Sequence, residues 1–470
     1  MSLSTRTTGW ADFFAEGRGA RLALICLGVW LNAADSLVTT TIMPSVGRDL
    51  GGYAYFSWAT AAYMAGAILS GATAARLSAR FGLRRAMIAA ALVAAAGCAA
   101  SALAPGMLAL VAGRLAQGLG AGWIVGACYA AIGAMFPERH LARIFGVMTG
   151  IWGVATVLGP MVGAAFAQGS AWRDLFWAFG AQCIAFLAAA AWLLPEDAPA
   201  ASDATPWRQI GLVMAAVALV GAADLARSVG AALALCLASL AVFAWALRLR
   251  PSGGVSLFPP EAGHPTSLIG SAYLSYFALS GAAMGFAVYA PALLQRLFGL
   301  SPLVAGYAAG LESVGWTVAA IAVAGTAPRW HGLAIRTGAA AIVGALGWLA
   351  AVMAHGPVVT ILCAATVLGA GFGLSSGLTG RRVIGSAPED ERAVASAGLN
   401  SVRQVGNASG ACLAGIIANL LGMGAGMTLD SAEASAVWLF VLSLPLAVVG
   451  AAGAWRVGRA SPSDVLASSG

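Results

Sequence analysis

Residues 21–46 read RLALICLGVWLNAADSLVTTTIMPSV, an apolar stretch with a single carboxylate, Asp35, near its middle. Such a stretch is long enough to cross the hydrocarbon core of a bilayer as a helix, which takes about 20 residues. An ionised side chain at that depth is costly, so it is normally paired or functional. The segment therefore predicts a membrane-spanning helix with a functional acid at its centre.

The rest of the chain has the same character. Of its 470 residues, 60% are hydrophobic and 9% are charged, and the mean hydropathy is +0.85. A soluble core cannot hide that much apolar side chain, and long non-alternating apolar runs form helices in a bilayer. We therefore predict an all-α polytopic membrane protein with 14 spans. The spans are residues 21–46, 55–75, 86–104, 107–135, 143–167, 174–194, 210–226, 229–247, 267–294, 302–324, 333–354, 357–379, 394–422 and 435–456.

The seventh and eighth spans are the least regular, because Asp224, Arg227 and Gly230 interrupt the apolar pattern there. If this pair does not cross the membrane, the count falls to 12. Asp224 and Arg227 are three residues apart, a spacing that brings side chains together on a helix. We interpret them as an ion pair at the surface.

Polar, proline-containing stretches at 195–206 and 248–266 flank this irregular pair. We predict an N-terminal six-helix bundle over residues 1–194, a linker with two additional transmembrane helices over 195–266, and a C-terminal six-helix bundle over 267–470. Transporters are commonly built from two halves related by an axis along the membrane normal, with the substrate bound near the midplane between them.

The basic residues predict the orientation. All 25 are arginines, and most of them fall in cytoplasmic loops if both termini are cytoplasmic. The net charge of +7 follows from this bias, and no basic run with exposed aromatics indicates nucleic-acid binding. The seven cysteines lie within predicted spans, without the spacing of a metal site or a disulfide framework.

Residues 34–44, ADSLVTTTIMP, place an acid nine positions before a proline, at Asp35 and Pro44. This pattern resembles the first-helix signature of proton-driven multidrug antiporters in the major facilitator superfamily, in particular the 14-span drug:proton antiporter group. The resemblance extends over nearly the whole chain and is strongest before residue 195. It implies the major facilitator fold, a location in the bacterial inner (cytoplasmic) membrane, and a proton gradient rather than a cofactor as the energy source.

The loop between the second and third spans resembles the basic gating loop of the superfamily. It departs from that pattern at Ala75 and Ala79, where the family usually has a glycine and an acid. Two interpretations are open: the arginines act in gating, or they only enforce the topology. The matching positions are Arg80, Gly82, Arg84 and Arg85.

The fourth span contains Arg114 and Gln117 in a segment, RLAQGLG, that resembles the family's arginine-containing motif for proton transfer. A buried guanidinium stays charged and requires an acceptor or water. The alternative is a side chain that reaches out to the membrane surface. In the fifth span, Gly159 and Pro160 resemble the family's antiporter motif, and we expect them to shape a gating helix.

Glu312 lies about ten residues into the tenth span, at a position that the family does not explain. An unpaired acid at that depth is held neutral or binds a cation. We hypothesise a second proton site or a counter-charge for a cationic substrate. A carboxyl group that only hydrogen-bonds between helices is the alternative.

Several aromatic and polar residues at mid-depth are candidates for the lining of an adaptable substrate pocket, because aromatic rings can stack on amphipathic cations. Together with Glu312, the candidates are Trp30, Tyr63, Gln117, Trp123, Trp152, Tyr276, Tyr289, Tyr307 and Trp316.

The pattern predicts a proton-coupled antiporter, with Asp35, Arg114 and Glu312 in proton coupling, that exports amphipathic cationic or neutral drugs and dyes. We expect a monomer whose partners are the small-molecule substrate, protons and the lipid bilayer. An exporter of one specific metabolite on the same fold remains open, as does a membrane sensor that does not transport. No nucleophile and base pair, metal cluster or phosphate-binding loop suggests an enzyme or a metal site.

Overall fold

The computed structural model describes residues 18–136, 138–167, 171–196, 205–226, 228–250, 256–388 and 391–459. Over these ranges the chain is helical, without any strand, which confirms the predicted all-α class. The long helices are α1 (Arg18–Leu50), α2 (Phe56–Phe81), α3 (Leu83–Ala102), α4 (Met107–Met135), α5 (Glu138–Phe166), α6 (Trp172–Leu193), α7 (Trp207–Asp224), α8 (Val229–Arg248), α9 (Leu268–Phe298), α10 (Pro302–Ala324), α11 (Pro328–Val352), α12 (Val358–Ser386), α13 (Arg392–Leu420), α14 (Leu429–Val441) and α15 (Leu444–Arg459).

Twelve helical segments of the described chain are long and apolar enough to cross a membrane, with α14 and α15 counted together as Leu429–Arg459. The set includes α7 and α8, the pair whose apolar pattern is interrupted in the sequence. The two other long helices, α2 and α13, coincide with the predicted spans at 55–75 and 394–422. Each of the 14 predicted spans therefore corresponds to helix.

The first helix is longer than its apolar core. Hydropathy falls at Arg48 and Asp49, but the backbone stays helical to Leu50. The helix ends where Gly51 and Gly52 adopt left-handed backbone angles, with φ of 63° and 66°. Glycine adopts these angles without steric cost, so the backbone sets this boundary and the side-chain polarity does not.

The packing of the first six helices is repeated in the last seven. Helix α4 packs against α2 and α3, and α12 packs in the same way against α10 and α11. The pair α1 and α5 likewise has a counterpart in α9 and α13. We call α1–α6 the N-terminal half and α9–α15 the C-terminal half. The halves meet along a seam where α2 packs against α13 and α5 packs against α10.

Glycine permits the closest contacts within each half. A Cβ atom at Gly118 of α4 would collide with the carbonyl oxygen of Tyr63 on α2. In the C-terminal half, a Cβ atom at Gly369 of α12 would collide with the carbonyl oxygen of Glu312 on α10. Small residues of this kind let membrane helices approach backbone to backbone.

The seam is closed at one end of the molecule. We call the end that carries Arg18 and Arg459 the proximal end, and the opposite end the distal end. Near the distal end, a Cβ atom at Gly306 would lie 2.9 Å from Cβ of Pro160 across the seam. Towards the proximal end of α5, Gly150 and Gly153 face open space among the described residues. The halves therefore touch near the distal end.

Candidate functional site

Asp35 and Arg114 form an ion pair inside the N-terminal half. One guanidinium nitrogen, Nη1 of Arg114, lies 2.8 Å from Oδ1 and 2.7 Å from Oδ2 of Asp35. Only 5% of Asp35 and 2% of Arg114 is exposed. The carboxylate thus points into the bundle and away from the acyl chains. The interpretation of Arg114 as a side chain that reaches the surface is wrong, because its acceptor lies at mid-depth.

Neutral groups complete the coordination of the arginine. Its Nη1 also donates to Oε1 of Gln117 at 3.2 Å, and its Nε donates to the carbonyl oxygen of Ala59 at 3.4 Å. The guanidinium carbon lies 4.4 Å from the ring centroid of Tyr63, which adds a cation–π contact. Arg114 therefore keeps three partners when the charge on Asp35 is removed.

A second layer of polar residues supports this pair. The hydroxyl of Tyr63 donates to Oδ1 of Asn32 at 2.9 Å, and the hydroxyl of Ser101 donates to Oε1 of Gln117 at 3.0 Å. The amide of Gln117 donates to Sγ of Cys98 at 3.1 Å. Such outer contacts fix the orientation of Gln117 and of the tyrosine ring under the guanidinium.

A small cavity adjoins the carboxylate. Its volume is about 20 Å³, enough for about one water molecule, and its walls come from α1, α2, α3, α4 and α6. Asp35, Tyr63 and Gln117 provide its polar lining. The cavity lies within the N-terminal half and not between the halves, so it suits a proton or a water and is too small for a drug.

Three members of this network were not among the predicted site residues: Asn32, Cys98 and Ser101. The position of Asn32, three residues before Asp35, places both side chains on one helix face and is a usable signal. Cys98 and Ser101 lie on a different helix, and only the packing of α3 on α4 brings them to Gln117.

Glu312 lies on α10 in a different environment. Its side chain is half-buried, and within the part of the chain that the structure describes no hydrogen bond or ion pair engages its carboxylate. One turn further along α10, the ring of Trp316 stacks on Phe372 of α12 with centroids 5.2 Å apart. Glu312 is thus an unpaired acid one helical turn from a flat aromatic surface.

The other predicted pocket residues do not form one cluster. Tyr63 and Gln117 belong to the Asp35 network, whereas Tyr289 is fully buried at the distal end and stacks on Phe56 with centroids 5.3 Å apart. Trp152 and Tyr307 are exposed on α5 and α10.

Three further candidates hydrogen-bond to neighbouring helices. Nε1 of Trp30 donates to Gln182 at 2.9 Å, Nε1 of Trp123 donates to Thr73 at 2.8 Å, and the hydroxyl of Tyr276 donates to the carbonyl oxygen of Ser376 at 2.6 Å.

The predicted gating residues lie at opposite ends. At the proximal end, Gly82 has a φ of 80° between α2 and α3, Arg80 and Arg85 are exposed, and Arg84 pairs with Glu196 at 3.2 Å. Nearer the distal end, Gly159 and Pro160 of α5 are buried and pack towards α1 and α10.

Asp224 is buried at the distal end of α7, contrary to the prediction. It is only 6% exposed, so the interpretation as a surface ion pair is wrong, and Arg227 lies outside the described residues. Its carboxylate accepts hydrogen bonds from Ser57, Trp58 and Asn419. The sequence separations are 167, 166 and 195 residues, so no local pattern shows these contacts.

A helical membrane protein with two matched halves and a charged pair inside one of them is of the class of polytopic transporters. The family model of the Major Facilitator Superfamily matches residues 25–411, and the chain belongs to this family. It is similar to a probable multidrug-efflux transporter of Mycobacterium tuberculosis, with 31% identity over 446 residues that cover 88% of this chain and 91% of the relative.

Solved structures show the same fold. A bacterial homologue of the human lysosomal transporter Spinster aligns with a TM-score of 0.68 and 15% identity, over 95% of this chain and 99% of that chain. A peptide transporter, POT, aligns with a TM-score of 0.65 and 17% identity, over 94% and 95%. Membership of the superfamily makes the protein a multi-pass membrane transporter and not an enzyme.

Proposed function

We propose that this transporter is a proton-coupled antiporter that exports amphipathic, cationic or neutral drugs and dyes by alternating access. The observation that carries the proposal is the buried pair of Asp35 and Arg114 beside a cavity of water size. The similarity to a probable multidrug-efflux transporter supports the choice of cargo.

The neutral acceptors around Arg114 make a protonation step physically reasonable. When Asp35 takes up a proton, the ion pair is lost, but Gln117 and the carbonyl of Ala59 still accept from the guanidinium. The charged arginine is then not left without partners, which is the main cost of breaking a buried pair. A proton that enters along the membrane potential supplies about 2.3 kcal/mol per 100 mV.

Helix α1 connects this site to the seam. A Cβ atom at Gly306 of α10 would lie 3.1 Å from Oγ1 of Thr41, and one at Gly163 of α5 would lie 2.8 Å from Cβ of the same threonine. Thr41 follows Asp35 on the same helix by less than two turns. A shift of α1 on protonation therefore acts directly on the contact between the halves.

Glu312 is the proposed counter-charge for cationic cargo. Its carboxylate has no partner among the described residues, and Trp316 and Phe372 offer a stacked aromatic surface one turn away. An acid without a protein cation leaves its charge available to a ligand, and aromatic faces attract the same ligand.

The orientation is also a proposal. Arg80, Arg85, Arg329 and Arg456 lie at helix ends on the proximal side, which we assign to the cytoplasm of a bacterial inner membrane. A C-terminal fusion to green fluorescent protein should fluoresce, and a fusion to alkaline phosphatase should be inactive. The reverse pattern would place the proximal end outside.

Flux in proteoliposomes with an imposed pH gradient tests the coupling. Asp35→Asn should abolish gradient-driven efflux of a fluorescent cationic dye, because the amide cannot carry the proton. Asp430→Asn, which removes an exposed acid at the distal end, is the matched control and should retain efflux. Full gradient-driven efflux by Asp35→Asn would refute the assignment.

A further inference from the structure

The helix pair α7 and α8 lies over the seam. Helix α7 packs against α2 of the N-terminal half and against α13 of the C-terminal half. Phe243 of α8 stacks on Phe277 of α9 with centroids 5.3 Å apart, and a small apolar cluster joins Ala223 and Ala232 to Ile416 of α13. The apolar contacts of the pair are therefore largely with the C-terminal half.

A polar contact reaches across to the other half. Oδ2 of Asp224, at the distal end of α7, accepts from the hydroxyl of Ser57 at 3.0 Å and from Nε1 of Trp58 at 2.7 Å. Oδ1 accepts from Nδ2 of Asn419 on α13 at 2.8 Å. The same amide nitrogen of Asn419 also donates to the carbonyl oxygen of Ala54 at 2.9 Å. We call the four side chains Asp224, Ser57, Trp58 and Asn419 the Asp224 clasp.

The Asp224 clasp joins three separate parts of the chain. Ser57 and Trp58 belong to the N-terminal half, Asn419 belongs to the C-terminal half, and Asp224 comes from the additional pair. All three donors are neutral, and within the described residues Asp224 makes no ion pair. Hydrogen bonds to a charged group are roughly twice as strong as those between neutral groups, so one carboxylate can hold several elements together.

We propose that Asp224 is a positioning residue that holds the distal end closed, and that the helix pair α7–α8 supplies this clasp. Rocking of the halves in alternating access must separate them distally. Because α7 packs more extensively on α13 than on α2, and Phe243 of α8 stacks on α9, Asp224 moves with the C-terminal half, and its bonds to Ser57 and Trp58 are the ones that break. The inference rests on alternating access, but not on proton coupling or on the nature of the cargo.

The clasp is tested by the distance between the halves at the distal end. Leu103 before α4 and Leu429 at the start of α14 are 69% and 49% exposed, one in each half. Spin-labelled unnatural amino acids at both positions report the ratio of distal-closed to distal-open molecules in nanodiscs without cargo. Asp224→Ala should lower this ratio by about tenfold or more, so that longer distances gain population. A change of that size corresponds to the loss of hydrogen bonds to a charged acceptor.

Trp58→Phe is the conservative partner variant, because it keeps an aromatic ring and removes the indole N–H. It should shift the distances in the same direction, and in the double variant with Asp224→Ala it should add nothing. Two residues that act through one bond give non-additive effects. Asp430→Asn removes an exposed acid at the same end and should leave the ratio unchanged.

The clasp proposal fails if Asp224→Ala and Trp58→Phe leave the distances as in the parent protein, or if their effects simply add. If Asp224→Ala does not fold, Trp58→Phe alone decides, since loss of one N–H must still lengthen the distances. These measurements involve neither a pH gradient nor a cargo, so their failure and the failure of the antiport assay are distinguishable.

Discussion

The two halves of this transporter share their helix packing, and each has an acid within a long helix, but the surroundings of the two acids differ. In the N-terminal half, Asp35 is paired with Arg114 and enclosed by polar groups. In the C-terminal half, Glu312 is half-buried and has no partner among the described residues. The same scaffold therefore carries one acid whose charge is balanced internally and one whose charge is not.

Under the proposed antiport mechanism, this difference gives the two acids different roles. A carboxylate balanced by an arginine loses that ion pair when it takes up a proton, which suits a switch. A carboxylate without a partner presents its charge to whatever enters the space beside it, which suits recognition of a cation. Changing one member of each arrangement at a time tests this contrast.

Removal of the arginine should have the largest effect. Arg114→Met leaves Asp35 as an unpaired buried acid and should lower the free energy of unfolding by about 3–5 kcal/mol. Denaturant titration in bicelles measures the change. The double variant Asp35→Asn/Arg114→Met should recover most of the stability, because no charge is then left unpaired. A double variant as unstable as the single one would show that the arginine contributes through packing instead.

The glycine contacts test whether the packing is truly shared by the halves. Gly118→Ala and Gly369→Ala should each destabilise the protein by about 1–3 kcal/mol, because a methyl group meets a backbone carbonyl of the adjacent helix. The same unfolding titration applies. Gly377→Ala, where nothing described lies within 4 Å of the new Cβ, is the control and should be nearly neutral. A large cost at only one of the two contacts would break the equivalence of the halves.

The sequence was sufficient to predict the helices and to identify the individual charged residues within them. Hydropathy predicted a helix at every span. Each acid or base within a span is easy to recognise in the sequence, because a charged side chain in the membrane is costly and therefore rare. The C-terminal end of α1 was less predictable, because the helix continues past the polar residues Arg48 and Asp49 and ends only before Gly51 and Gly52.

Partners across helices could not be predicted. Ser101 meets Gln117 only because α3 packs on α4, and Asp224 meets Asn419 across 195 residues of chain. Hydropathy and spacing describe one helix at a time, so nothing in the sequence of α7 predicts that Asp224 is buried. Trp152 and Tyr307 were predicted as pocket residues from their depth alone, which does not say whether a side chain is buried, and both are exposed.

The unpaired acid should affect selectivity more than stability. Glu312→Gln should reduce efflux of a monovalent cationic dye by about tenfold and leave a neutral dye nearly unchanged, since loss of one favourable charge contact is worth about 1.4 kcal/mol. Initial rates in proteoliposomes measure both. Equal loss for cationic and neutral dyes, or no loss for either, would remove the counter-charge role and leave a structural carboxyl group between helices.

The smallest effect is expected for the ion pair that Arg84 forms with Glu196 at the proximal surface. The side chains are 29% and 71% exposed, so water screens the charges and the pair should contribute about 0–1 kcal/mol, less at high salt. Arg84→Ala and Glu196→Gln should therefore leave both unfolding and efflux close to those of the parent. This result would favour a topological role for the basic loop, whereas a large loss of efflux with unchanged stability in Arg84→Ala alone would assign the arginine to gating.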